Sequence, residues 1–266
     1  MAMQHSRLAN RTILSTRPGG LSADLQKRLH TAGAHALHLP TMEIFPVEDT
    51  KAAKRLLGTL VEFDIVIFIS RNAVKYACEL ASHIVDRLSG KIVLAVGSGT
   101  FDELKAAGFG KLGYTDSNKG SEALLDNDEL QQENVLNKRI MIARGQGGRE
   151  LLGDELKARG AEIQYVELYR RVRPQHDSDI VRNLWRVEKP DAVIVTSAEG
   201  LGNLLEMTGE EEQKFFLNTR LVVISQRLKD IAKSMGFMAE ISISTGFSNE
   251  DLMMALRRLF EADNNE

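Results

Sequence analysis

Short apolar runs recur along the chain, each closed by a turn of small polar residues and followed by a helix-like pattern. Thr12-Ile13-Leu14-Ser15-Thr16 leads into Arg17-Pro18-Gly19-Gly20, after which Leu25, Leu29 and Ala32 follow helical spacing up to Gly33. The segments Phe63 to Ser70, Val93 to Gly97, Arg139 to Arg144, Pro190 to Ser197 and Leu221 to Ser225 are further runs of this kind. Runs this short, bounded by turn residues, predict buried strands. Strands alternating with helices predict βαβ units and a parallel sheet covered on both faces. The expected class is α/β, with two doubly wound parallel-sheet domains.

The pattern repeats at an offset of 127 to 128 positions. Thr12 to Gly20 matches Arg139 to Gly147, and Phe63-Asp64-Ile65 to Ser70 matches Pro190-Asp191-Ala192 to Ser197. Val93 to Gly97 matches Leu221 to Ser225, and the helix ends Ala107-Gly108-Phe109 match Met235-Gly236-Phe237. Features matched in the same order indicate an internal duplication. Each copy reads strand, helix, strand, linker, helix, strand, helix, strand, helix. The linkers, Leu39 to Pro46 and Val166 to Pro174, are extended and end at proline, which disfavours helix there. Spacing alone leaves open whether the copies are tandem domains or the chain crosses between domains at both linkers. The acidic segments Asp126 to Glu133 and Glu210-Glu211-Glu212 read as solvated.

The chain has 266 residues, 43% hydrophobic and 27% charged, with a net charge of −3. These values fit a soluble globular protein and provide no global field to recruit nucleic acid or an anionic membrane. The polar start, Met1 to Arg11, lacks the apolar stretch of a signal peptide, and the single cysteine, Cys78, suits a reducing cytoplasm. A cytoplasmic monomer is the expectation. No histidine pair has metal-ligand spacing, and no metal site is expected. Cys78 reads as a small helix-borne hydrophobe. Gly145-Gln146-Gly147-Gly148 falls short of a dinucleotide fingerprint. The remaining signal is a set of strand-to-helix turns at Thr16-Arg17, Ser70-Arg71-Asn72, Gly97-Ser98-Gly99-Thr100, Arg144-Gly145, Ser197 to Gly200 and Ser225. In open parallel sheets such turns lie at the carboxyl edge, where helix N-terminal N–H groups favour anions. Two such edges, with Arg17, Arg71, Arg144 and Arg227, suit a multiply anionic ligand.

Here the chain resembles uroporphyrinogen-III synthases. The resemblance rests on Thr16-Arg17-Pro18, Ser70-Arg71-Asn72-Ala73-Val74, Val96-Gly97-Ser98-Gly99-Thr100, Ser121-Glu122, Arg144-Gly145, Gly148-Arg149, Tyr169-Arg170-Arg171 and Thr196-Ser197. The turn Ile224-Ser225-Gln226-Arg227 departs from the family pattern. The resemblance implies a HemD-like architecture with crossover: residues 1–40 plus 172–266 in one domain, 47–167 in the other, and 41–46 with 168–171 as paired hinge strands. It implies a hydro-lyase that cyclises hydroxymethylbilane to uroporphyrinogen III through a spiro intermediate, without a cofactor. Its partner would be a small polycarboxylate, received by transient hand-over from the preceding enzyme. Tyr169 would be the proton donor. Arg17, Ser70, Arg71, Asn72, Ser98, Gly99, Thr100, Ser121, Arg144, Gly145, Ser197, Gly200 and Ser225 would bind substrate. The alternative is a non-catalytic two-domain cytosolic binder of a polyanion.

Overall fold

The computed structural model describes residues 7–115, 120–261 and 263. The chain forms two compact units, Met1–Glu43 with Val172–Glu266, and Ile44–Arg171. In chain order the first stretch supplies β1 (Thr12–Ser15), α1 (Gly19–Thr31) and β2 (His35–His38). Then come β3 (Glu43–Pro46), α2 (Thr50–Gly58), β4 (Ile65–Phe68), α3 (Arg71–Leu80), α4 (Ile84–Arg87), β5 (Ile92–Val96), α5 (Ser98–Ala106) and β6 (Leu112–Thr115). They are followed by α6 (Gln132–Val135), β7 (Arg139–Gly145), α7 (Leu151–Ala158) and β8 (Glu162–Val172). The last stretch holds α8 (Ser178–Asn183), β9 (Ala192–Val195), α9 (Ala198–Met207), α10 (Glu210–Leu217), β10 (Arg220–Val223), α11 (Gln226–Ser234), β11 (Ile241–Ile243) and α12 (Asn249–Leu259).

The discontinuous unit is built on a five-stranded sheet ordered β11-β10-β9-β1-β2, in which every pairing is parallel. Period-two alternation splits its core. Ile13, Ala192, Ile194 and Val222 face Leu25, Leu29, Leu252 and Leu256 of α1 and α12. Leu14, Val193, Val195, Leu221 and Val223 face Trp185, Leu204 and Phe216 on the other side. The continuous unit has a six-stranded sheet ordered β3-β8-β7-β4-β5-β6. Val66, Phe68, Met141 and Ala143 pack toward α2 and α3, while Ile65, Ile67, Ile140 and Ile142 pack toward Leu152 and Leu156 of α7. Such two-sided burial explains why these strands read as unbroken apolar runs.

The α/β class with parallel sheets stands. Differences from the expected order include the added helices α4 and α10 and, at the sheet edges, two added strands. Strands β6 and β11 each follow what was read as the last helix of a copy. Beyond α8 the chain makes a π turn over Leu184–Glu188, which carries Arg186 to α10. Glu212 there is not solvated: it is 5% exposed, and Arg186 Nε donates to its carboxylate at 2.6 Å. Asp126, Asp128 and Glu133 are exposed. The linker segments run as β3 and the end of β8, neighbours in the six-stranded sheet. Among the described residues no helix is long and apolar enough to cross a membrane.

Each sheet is locked at the amino end of its central strand pair by an aspartate. Asp191 accepts from Thr12 N–H at 2.7 Å, and its own N–H donates to Thr12 O at 2.8 Å. Asp64 accepts from Arg139 N–H at 3.0 Å and donates to Arg139 O at 2.9 Å. The Arg139 N–H and the nearby Lys138 ammonium hold the Asp64 carboxyl below its ordinary range. A lowered folded pKa means that the stabilisation is present above the ordinary carboxylate range and is lost as pH falls through the folded value. The Asp64→Asn variant should therefore melt lower than the parent at neutral pH. The gap should narrow as pH falls below about 4 in a series of thermal denaturations.

Candidate active site

In an open parallel sheet the ligand crevice opens at the carboxyl edge where the strand order reverses. In the discontinuous unit that point lies between β1 and β9, in the continuous unit between β4 and β7. The segments that flank these two points are Thr16-Arg17 with Thr196-Ser197, and Ser70-Arg71 with Arg144-Gly145 at the end of β7.

The β4/β7 crevice is organised by Tyr169. The register of β8 on β7 pairs Arg144 with Glu167 but Gly145 with Tyr169, a slip of one residue. The slip places Leu168 and Tyr169, consecutive residues, in the same core cluster, where alternation would have separated them. From β8 the ring crosses β7 at Gly145, and its hydroxyl reaches Ser70, just past β4, at 2.9 Å. Only glycine permits the crossing: a Cβ on Gly145 would lie 2.6 Å from ring atoms Cε2 and Cζ. Tyr76 stacks on the ring with centroids 6.0 Å apart, and the Arg171 guanidinium lies 5.8 Å from its centroid. Tyr169 is 1% exposed. Ser70 is half-buried and caps α3, accepting from Ala73 N–H at 3.2 Å.

Beside this pair the next turn is open. Gly97, with φ of 80°, starts α5 and offers no capping side chain. That left-handed conformation is one glycine adopts without strain. Thr100 N–H turns back to Gly97 O at 3.2 Å, which leaves the Ser98 and Gly99 N–H groups as first-turn donors. Exposed Arg71 packs over this turn: a Cβ on Gly99 would lie 3.5 Å from its Nε. Arg71, Asn72, Ser98 and Gly99 thus share one edge with Ser70.

Other expected binding residues face inward. Arg144 is buried on the far side of β7, its guanidinium 3.8 Å from the centroid of the Tyr165 ring. It donates to Gly148 O at 3.1 Å, Arg149 O at 3.3 Å and the Glu167 carboxylate at 3.3 Å. Its charge therefore organises the turn after β7 and is not offered at the edge. Gly145 is buried beneath Tyr169, and Thr100 is 5% exposed. Ser121 lies in the 3-10 turn Gly120–Asp126, its side chain outside the described residues.

In the discontinuous unit, Arg17 is 6% exposed and donates from Nη1 to Asn249 Oδ1 at 2.6 Å. Its carbonyl bonds with His38 Nε2 at 2.8 Å. Ser197 caps α9 through Gly200 N–H at 2.9 Å, and Ser225 caps α11 through Leu228 N–H at 3.2 Å. Both serines are half-buried, Gly200 is buried and Glu199 is exposed. Sequence reasoning missed the turn after β11, where Ser248 and Asp251 form a capping box at the start of α12 and Asn249 meets Arg17. The S-x-x-D spacing ahead of an apolar stripe was the available signal. Cys78 is half-buried, and burial beside Glu103 and Glu79 pushes its thiol up, away from a reactive thiolate.

A family model described as uroporphyrinogen-III synthase HemD matches residues 23–253. The uroporphyrinogen-III synthase of Escherichia coli (strain K12) is 34% identical over 249 residues, covering 92% of this chain and 100% of the relative. That of Salmonella typhimurium is 33% identical, with the same coverage. In fold, the chain is similar to a mutant uroporphyrinogen III synthase from the extremely thermophilic bacterium Thermus thermophilus, with a TM-score of 0.65 at 16% identity over 96% of this chain and 100% of that one. It is also similar to the Helicobacter pylori 26695 uroporphyrinogen-III synthetase, with a TM-score of 0.61 at 16% identity over 94% and 99%.

The crossing at Gly145 is testable directly. Gly145→Ala must displace the Tyr169 ring and should destabilise the protein by about 1–3 kcal/mol, as overpacking does, in chemical denaturation.

Proposed function

The chain belongs to the uroporphyrinogen-III synthase family, and on that premise we propose that it cyclises hydroxymethylbilane to uroporphyrinogen III with loss of water and inversion of ring D. The observation that carries the reading is the full-length correspondence with relatives of that name. The reaction starts as the terminal hydroxyl departs and leaves an azafulvenium cation. Electron-rich ring D attacks the cationic methylene carbon through its own substituted carbon, and the resulting spiro intermediate fragments and recloses as the type III isomer. The substrate also closes unaided to type I, so the protein's task is to hold one geometry and exclude the other.

Half-buried hydroxyls, first-turn N–H groups and an exposed arginine suit such a polycarboxylate. Ser70 and Asn72 bind it at the carboxyl edge of the continuous unit, where Arg71 with the Ser98 and Gly99 N–H groups holds one carboxylate. Ser197 and Ser225 are the binding hydroxyls at the carboxyl edge of the discontinuous unit. Tyr169 serves the reaction from beneath the β4/β7 crevice. The protein acts in the cytoplasm on this small molecule, received by transient hand-over from the enzyme that assembles it, with no nucleic acid or membrane involved.

Product analysis tests the activity. Fresh hydroxymethylbilane should give mainly the type III isomer, in proportion to protein added, when products are oxidised and separated by chromatography. Type I alone, at the protein-free rate, would favour the polyanion binder. Arg71→Ala should raise KM by roughly tenfold, the value of one charge-assisted hydrogen bond, with little change in kcat.

A further inference from the structure

The hydrogen bonds around Ser70 leave one direction for its proton. A serine hydroxyl has one O–H to give and two lone pairs with which to accept. Ala73 N–H fills one lone pair, at 3.2 Å. The Tyr169 hydroxyl lies 2.9 Å from the same oxygen. Tyr169 is 1% exposed, and among the described residues Ser70 is its hydroxyl's sole hydrogen-bond partner. Were Ser70 the donor, the tyrosine O–H would be buried with no acceptor, an arrangement folded proteins avoid. Tyr169 therefore donates and Ser70 accepts.

With both lone pairs filled, the Ser70 O–H has no acceptor among the described residues. Ser70 is half-buried just past β4, beside the β4/β7 switch point, so its proton is left for whatever occupies that crevice. Two donors into one oxygen also polarise it and strengthen its own O–H as a donor. Tyr169 cannot turn to take that place. Gly145 lies under the ring, Tyr76 stacks on it, and the slipped register of β8 sets where it enters.

We propose that, of the Ser70–Tyr169 pair, Ser70 is the one that touches the substrate, donating a hydrogen bond to one of its oxygens, and that Tyr169 is a positioning residue acting through Ser70. This rests on the synthase reading and moves the donor role from Tyr169 to Ser70.

A double-mutant cycle on kcat/KM for type III formation decides it. Tyr169→Phe should lower the value about tenfold and Ser70→Ala about 10²-fold, the range for loss of one positioned donor. The double variant should be no worse than Ser70→Ala, and Ser70→Thr, which keeps the hydroxyl and the cap, should recover most of the rate. A loss confined to kcat identifies the departing hydroxyl as the acceptor, and one confined to KM a carboxylate. Ser70→Gly, gentler on the helix start, replaces Ser70→Ala if melting curves show unfolding. Losses that multiply in the double variant would overturn the proposal by putting Tyr169 itself on the substrate. Full activity in Ser70→Ala and Ser70→Gly would overturn it by reducing Ser70 to a helix cap. Either result, with type III still formed by the parent, leaves the synthase reading intact. A parent that yields only type I removes both.

Discussion

The central strand pair of each sheet joins segments far apart in the chain: β1 lies beside β9, and β4 beside β7. The rest of each unit is hung on that pair. Strands wind outward from it in opposite directions, so both faces are covered by helices and only the strand ends remain for chemistry. The two ends are used differently. At the amino end an aspartate exchanges two bonds with the first residue of the neighbouring strand and fixes the register. At the carboxyl end the strands part into turns, and the backbone N–H groups of the next helices have no partners within their own helix.

What those turns can do follows from which side chains the packing has already engaged. Around β7 the slip in register sends Tyr169 to one face and leaves Arg144 on the other, over Tyr165 and against Glu167. The strongest charge at that turn is thereby neutralised inside the protein. Facing outward are groups of modest chemical power, such as the Ser70 hydroxyl, the Ser98 and Gly99 amides and the exposed Arg71. Such a surface suits a reaction whose reagents are all within the substrate. Geometry, not an aggressive acid or nucleophile, then decides between products.

The strands buried on both faces were legible because two-sided burial writes an unbroken apolar run, as in Ile65 to Phe68 and Ala192 to Val195. Edge strands leave a weaker mark. Leu112–Thr115 contains a glycine and Ile241–Ile243 a serine, and each is paired on one side only. The turns that flank the crevices were equally legible, since small polar residues after an apolar run have few other uses. Which of their side chains point outward was not. Arg71 and Arg144 both follow an apolar run, Arg71 as the first residue of α3 and Arg144 near the end of β7, ahead of α7. Arg144 is drawn in by Glu167 and Tyr165, which stand two strand positions apart on a neighbour, and no local pattern around Arg144 records them. Glu212 was misread for a like reason, its partner Arg186 being delivered by a π turn more than twenty residues earlier.

The discontinuity of the first unit bears on how the protein comes off the ribosome. Synthesis delivers β1, α1 and β2 first, yet β1 finds its neighbour β9 only after the whole of Ile44–Arg171 has been made. The continuous unit is therefore complete, and free to fold, while the amino-terminal strands still wait with one edge of β1 unpaired. Its folding then shortens the effective loop that β9 must close, because a compact body replaces a long flexible chain between the two halves. Nascent protein passes through a stage in which an exposed parallel-strand edge must be kept from pairing with other chains.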